Sequence, residues 1–261
     1  MAMAGRLGGK TALITGGGGV IGIATARRLL AEGAHVALVD RDQAALIAAK
    51  NAIAHHSAGQ QLVTISADVT RAPDVARYAS EAAAALGPID IFFNNAGIEG
   101  KFAPLPEFPE DVWDDVMAVN VKGVFLGLKY MLPVMRDGGS IIITSSTAGL
   151  RGAPNFAAYT ASKHAVIGLM RTTASEGAPR RIRCNTIHPA MVESNMMTRL
   201  EDQRMGNRSR EEVQQEYRSK IPLGRYIAAD EIAAAVAYLA SDDAAMVTGT
   251  QHLVDGGAMM I

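Results

Sequence analysis

The 261-residue sequence predicts an α/β chain with a doubly wound, parallel, seven-stranded sheet and helices on both faces, in one domain over residues 1–261. Three observations predict it. Short, continuously apolar runs alternate with longer helical patterns from end to end, as expected of βαβ units whose strands are buried on both sides. A glycine cluster, Gly16 to Gly19, stands between the first such run and the first helical pattern. No linker, repeat or low-complexity tract divides the chain.

In order, the strands read as Lys10–Thr15, His35–Asp40, Gln61–Ser66, Ile89–Phe93, Ser140–Thr144, Arg181–Ile187 and Gln251–Val254. Between them the helical patterns fall near 21–32, 42–56, 72–86, 110–136, 157–177 and 229–240. One stretch breaks the rhythm. Ser194 to Lys220 is polar and Met-containing, with five acidic and six basic residues, and reads as a solvated helical excursion. Lying beyond a strand's C-terminal end, the segment 190–222 is placed as a substrate lid.

Composition bounds the function. Hydrophobic residues make up 49 % and charged residues 20 %, ordinary for a globular chain. A net charge of −1 offers no basic excess to neutralise phosphates, which argues against a nucleic-acid partner. Cys184 is the single cysteine, so there is no internal disulfide, and its apolar strand-like setting reads as a buried, inert thiol. No metal-ligand set is expected. Met1 to Gly9 lacks a signal-peptide core, and no stretch is read as approaching a membrane span. The expectation is a cytoplasmic enzyme acting on a small molecule.

Two constellations carry chemistry. The run Thr15-Gly-Gly-Gly-Gly-Val20-Ile21-Gly22 joins a strand to a helix, where glycines permit a tight turn and let backbone N–H groups approach a diphosphate. Asp40 ends the second strand, eighteen positions after Gly22, where its carboxylate can accept from an adenosine ribose. Asp42 is the better N-cap of the helix that follows, and Arg41 is expected to be neutralised by these two neighbours or to stack on the adenine. Asp68-Val69 follows the third strand and can reach the adenine edge. The second constellation is Tyr159-x-x-x-Lys163, which places phenol and ammonium on one helix face. A free tyrosine ionises near pH ~10, and a fixed cation nearby favours phenolate and lowers that value. Ser146, thirteen positions earlier and at the end of a strand, can hold a substrate oxygen against the phenol.

Assembled, these residues resemble the short-chain dehydrogenase/reductase family over nearly the whole chain. Thr15-Gly16 through Gly22 is similar to its cofactor loop, and Asn94-Asn95-Ala96-Gly97 to its motif after the fourth strand. Asn120, Ser146, Tyr159 and Lys163 match its catalytic residues in order and spacing. His188-Pro189-Ala190-Met191-Val192-Glu193-Ser194 resembles the segment that contacts the nicotinamide, and Val254-Asp255-Gly256-Gly257 the C-terminal signature. Three positions depart from the pattern. Val20 stands for the loop's middle glycine, so the diphosphate is expected to lean on Gly18 and Gly19; Ala190 replaces a glycine and Ser194 a threonine.

The resemblance implies a Rossmann-fold oxidoreductase transferring a hydride between NAD(H) and a secondary alcohol or ketone. Tyr159 is the acid/base, Ser146 bonds the substrate oxygen, Lys163 also holds the nicotinamide ribose, and Asn120 supports a water on the proton path. It also implies a homotetramer, for which helices 110–136 and 157–177 supply the apolar surplus (Trp113, Met117, Val121, Phe125, Leu128, Ala161, Val166, Leu169 and Met170). The substrate wall is expected from Ile98 to Phe102, Thr147, Ala148, Arg151, Asn155, Phe156, Met191, Met196 and Met197. The stretches Phe92–Gly100 and Gly123–Gly127 are similar to family members acting on cyclic hydroxyketones. Two other readings are an NADP-dependent 3-ketoacyl reductase of the same family, which would call for a basic residue in the cofactor loop and a basic docking patch that the sequence does not clearly show, and a catalytically inactive nucleotide-sensing scaffold.

Overall fold

A computed structural model describes residues 5–53 and 59–260. Seven parallel strands form one sheet: β1 (Thr11–Thr15), β2 (His35–Asp40), β3 (Leu62–Ser66), β4 (Ile89–Asn94), β5 (Met135–Thr144), β6 (Arg183–Pro189) and β7 (Gln251–Val254). Their order is β3-β2-β1-β4-β5-β6-β7, so the winding reverses between β1 and β4. A crevice opens at the carboxyl ends of the strands at such a switch point.

Each strand feeds two cores, because successive side chains point to opposite faces. Leu13, Phe92, Ile141 and Ile143 face one core together with Val75, Tyr78, Val124, Val166 and Met170. Ala12, Ile14, Ile91, Phe93 and Ile142 face the other, with Ala26, Leu29, Leu46, Ile232 and Val236. The first core is covered by α3 (Ala72–Leu86), α5 (Gly123–Met131) and α6 (Ala157–Gly177), the second by α1 (Val20–Ala31), α2 (Gln43–Ile53) and α9 (Ala229–Ala240). Asp42 does cap α2, its Oδ1 accepting from the Ala44 and Ala45 amides at 2.9 and 3.1 Å. The predicted end of that helix, residues 54–56, lies outside the described residues.

Three boundaries differ from expectation. The helix read as 110–136 is α4 (Glu110–Met117), a π-helical turn (Ala118–Lys122) and α5, closed by a 3₁₀ turn, Leu132–Val134, that carries Pro133. Proline lacks the amide needed to continue the helix. β5 accordingly starts five residues early, at Met135, across a register shift opposite Ile89 and Ile91. β6 starts two residues late, because Arg181 takes the left-handed conformation at φ 55°. The continuous helical run Glu110–Val134 reaches a mean hydropathy of 1.2 over a span-length window, contrary to the sequence reading, yet 44 % of that window is buried in the fold as a core helix.

The polar excursion folds into α7 (Asn195–Met205) and α8 (Arg210–Ser219), which close a small core of their own from Met197, Val213 and Tyr217. Ser194 caps α7, and Ser209 with Glu212 forms a capping box on α8.

Candidate active site

The glycine loop is fixed by its own backbone. Gly16 is left-handed at φ 65°, a conformation that favours glycine. A Cβ on Gly22 would overlap the Gly16 carbonyl oxygen and lie 2.9 Å from Gly17 Cα. The amides of Gly17, Gly18 and Gly19 donate to Val39 O at 2.9 Å, Asp40 Oδ2 at 3.0 Å and Gly16 O at 3.1 Å. A diphosphate leaning on Gly18 and Gly19 is therefore not what the loop offers. The orphan donors are those of the first turn of α1, Val20, Ile21 and Gly22. No acidic residue stands in that turn and no side chain caps it, so the positive end of the helix dipole is open to an anion.

Beside the loop lies an open cleft lined by Gly16, Asp40, Arg41, Asp68, Val69 and Gly97, among others. Asp40 Oδ1 accepts from the Asp42 amide at 3.1 Å, so the carboxylate both orders the loop and faces the cleft. Among the described residues Arg41 forms no ion pair with Asp40 or Asp42, whose carboxylates accept from backbone amides, so the first of its two expected roles is not met. Its charge is felt instead at Asp68. Burial pushes the Asp68 carboxyl up, but the Thr70 amide and hydroxyl, each at 2.8 Å, and then Arg41 leave it below its ordinary value. These features fit a dinucleotide: tight glycines, an uncapped helix N-terminus, and a carboxylate at the ribose end of a cleft.

The switch point is knitted by Thr15. Its hydroxyl accepts from the Asn95 and Ala96 amides at 2.9 and 3.1 Å, while Asn95 Nδ2 donates to Thr15 O at 3.1 Å. Asn95 Oδ1 accepts from Thr144 Oγ1 at 3.0 Å, and Lys163 Nζ donates to Thr144 O at 2.9 Å. One chain of bonds thus links the ends of β1, β4 and β5 to α6.

Asn120 is fully buried in the π-helical turn. It donates to Ile98 O at 2.9 Å and Ser162 Oγ at 3.0 Å, and accepts from the Ile98 amide at 2.9 Å. A Cβ on Gly97 would lie 3.2 Å from Asn120 Oδ1 and 3.4 Å from Lys163 Nζ, so glycine there brings amide and ammonium to one point. Lys163 lies 5.5 Å from the Tyr159 ring centre. Burial pushes the Lys163 ammonium down to about 8. Burial pushes the Tyr159 phenol up to about 12; the nearby Ser146 hydroxyl pulls it down and the charge of Glu99 pushes it up. Within the protein, desolvation dominates and leaves the phenol above its ordinary value.

Ser146 also accepts from the Ala148 amide at 3.1 Å and approaches Pro189 O at 3.5 Å. Ala190 N donates to Val254 O at 3.3 Å, Val192 bridges to Ile227, and the Ser194 hydroxyl donates to Val192 O at 3.0 Å. His188 was not singled out as a site residue. It is buried beneath Ser146, one ring nitrogen 2.9 Å from Ser146 O and the other 2.8 Å from Thr186 Oγ1, and burial pulls its pKa down.

The expected wall is partly met. Phe102 stacks on Phe156 at 4.5 Å and Phe156 on Tyr159 at 4.6 Å. Asn155, left-handed at φ 63°, accepts from the Ala103 amide at 2.9 Å and joins the two loops. Met197 is turned into the small α7–α8 core, and Arg151 is exposed, reaching Ala258 O at 3.4 Å. Glu99 is buried and paired with Arg199, which no local pattern in the sequence could reveal.

A glycine-bounded dinucleotide cleft opening onto a tyrosine, lysine, serine and asparagine defines a nicotinamide-linked oxidoreductase. The comparisons agree. The family model described as "Enoyl-(Acyl carrier protein) reductase" matches residues 18–259. Levodione reductase of Leifsonia aquatica is 42 % identical over 259 residues, 97 % of this chain and 95 % of that protein. The crystal structure of levodione reductase superposes with a TM-score of 0.94 at 40 % identity, covering 98 % of this chain and 100 % of that one. NAD+-bound xylitol dehydrogenase superposes with a TM-score of 0.91 at 36 % identity, covering 96 % and 99 %. The chain belongs to the short-chain dehydrogenase/reductase family, and it is an oxidoreductase of the alcohol dehydrogenase/ketone reductase kind.

Proposed function

We propose that the chain interconverts a cyclic secondary alcohol, of the hydroxyketone class, and its ketone with NAD(H) as cofactor. The observation that carries it is the convergence of Asn120 and Lys163 at Gly97, which lines the cleft, with the Tyr159 ring 5.5 Å from Lys163 Nζ. When bound, the cofactor would supply the hydride chemistry. Tyr159 takes the proton from the alcohol oxygen in oxidation and returns it in reduction. The Ser146 hydroxyl bonds the same oxygen. Lys163 favours that phenolate by its charge and holds the nicotinamide ribose. Asn120 keeps one carbonyl lone pair beyond the Ile98 amide, to support a water on the proton path.

Gly16, Val20, Ile21 and Gly22 cradle the diphosphate; Asp40 and Arg41 hold the adenosine ribose; Asp68 and Val69 border the adenine. Asn95, Ala96, Gly97, Pro189, Ala190, Val192 and Ser194 border the nicotinamide end. Asp40 supports NAD(H) over NADP(H), because a 2′-phosphate of roughly −1.5 to −2 charges would face its carboxylate. The names of similar proteins, levodione reductase and NAD+-bound xylitol dehydrogenase, support the substrate class and the cofactor. Residues 190–222 serve as the lid, the assembly is a homotetramer, and the compartment is the cytoplasm. Crystals soaked with NAD and a cyclic hydroxyketone test this reading. The substrate oxygen is expected within hydrogen-bond reach of both Tyr159 and Ser146, and a substrate bound away from both would contradict it.

A further inference from the structure

Helix α7 is fastened to the loop after β4 by three contacts from residues about a hundred positions apart in sequence. Arg199 engages both oxygens of Glu99, through Nε to Oε1 and through Nη2 to Oε2 at 3.2 Å. Gln203 accepts from the Phe102 amide at 2.9 Å and donates to Gly100 O at 3.3 Å. The Arg204 guanidinium stands 5.6 Å from the Phe102 ring. Glu99 is 7 % exposed, whereas the side chain that neutralises it is 57 % exposed and comes from the solvent side of the cap. A carboxylate buried to that degree is costly without its cation.

The same loop leads to the reaction centre. Asn120 holds it at Ile98, and its Phe102 stacks through Phe156 onto Tyr159. We propose that Arg199 is a positioning residue: by neutralising Glu99 it couples docking of α7 to proton transfer at Tyr159. The inference rests on Tyr159 as the acid/base. The charged and titratable groups around this point are Lys163 from α6, Glu99 from the loop after β4, Arg199 and Arg204 from α7, and His188 at the end of β6. Glu99 opposes the phenolate, whereas a cation such as Lys163 favours it on general electrostatic grounds. With α7 docked, the guanidinium screens Glu99. With α7 undocked, Glu99 faces the tyrosine unopposed, so the phenol releases its proton less readily.

The test is the pH profile of kcat/KM for alcohol oxidation in Arg199→Met, Arg199→Lys and Glu99→Gln, each checked for folding by circular dichroism. Oxidation needs the deprotonated phenol, so activity rises with pH. In Arg199→Met the rising limb is expected to move up by roughly half to one pH unit. In Glu99→Gln it moves down, and Arg199→Lys stays close to the parent. A folded Arg199→Met protein whose profile overlies the parent overturns the proposal. Should that variant not fold, Glu99→Gln decides alone: a downward shift supports the coupling and an unmoved limb overturns it. Tyr159→Phe, run beside them, separates the two levels. If it keeps the rising limb, the tyrosine assignment fails and the coupling falls with it; if activity is lost, a failure belongs to the coupling alone.

Discussion

At the scale of single residues, cofactor choice turns on Asp40 and Arg41. Two ribose hydroxyls suit a carboxylate, and like charges about 4 Å apart repel by ~1 kcal/mol in bulk water and several-fold more near a protein surface. A preference for NAD(H) of at least about tenfold in kcat/KM, ~1.4 kcal/mol, is expected. Asp40→Ala should shrink that ratio by admitting NADP(H), and should weaken NAD(H) too, since Gly18 loses its acceptor. Steady-state kinetics with both cofactors decide it; equal efficiency in the parent would put Arg41 in charge of the pocket. Lys163 sets a pH dependence of stability. Its ammonium titrates near 8 when folded and near ~10.4 when unfolded. Between these values the unfolded chain holds the proton that the folded chain has released, so stability rises with pH across the window. Below pH 8 the burial cost is fully present. Lys163→Met should therefore gain most over the parent near pH 7, and that gain should shrink towards pH 10 in paired thermal melts. A pH-independent gap would contradict it.

At the scale of elements, the strands were legible because both faces are buried, so β1, β2 and β4 read as unbroken apolar runs. The start of β5 was not: Arg136-Asp137-Gly138-Gly139 carries no strand signal and bulges between Met135, opposite Ile89, and Ser140, opposite Ile91. Tyr159, Lys163, Ser146 and Asn120 were legible as residues. The π-helical turn around Asn120, whose side chain is tied by three bonds to Ile98 and Ser162, was not, since no local propensity marks it. π turns of this kind gather at functional positions. The commitment of the Gly18 and Gly19 amides, which moves the diphosphate donors to the first turn of α1, is likewise visible only in three dimensions. The loop's tightness gives a direct prediction. Gly22→Ala places a methyl on the Gly16 carbonyl, and either the loop opens or α1 shifts. Overpacking of this sort costs about 1–3 kcal/mol. A lower Tm together with a NAD(H) affinity at least tenfold weaker is expected, read by thermal melts and fluorescence titration. Unchanged binding would show that the diphosphate does not sit there.

At the scale of the whole molecule, the helices expected to carry an apolar surplus divide in two. Leu128, Val166 and Met170 are buried in the protomer's own core, whereas Trp113 is 37 % exposed and Phe125 47 % exposed. Leu223, Leu253, Met246 and Met260 add further exposed apolar side chains around the C-terminal strand. The proposed homotetramer would cover such side chains against further copies of the chain. Light scattering should give a mass four times 27.5 kDa at micromolar concentration, and a stable monomer would contradict it. The central claim is that Tyr159 moves the proton in NAD-linked oxidation of a secondary alcohol. Its most direct test follows the reduced-nicotinamide absorbance band for the parent and Tyr159→Phe, with NAD and a panel of cyclic alcohols. The parent should turn over, while Tyr159→Phe should bind NAD(H) nearly as well and lose a factor of about 10² or more in kcat. No turnover by the parent on any alcohol, or a Tyr159→Phe protein that keeps most of its activity on the best one, would contradict the account.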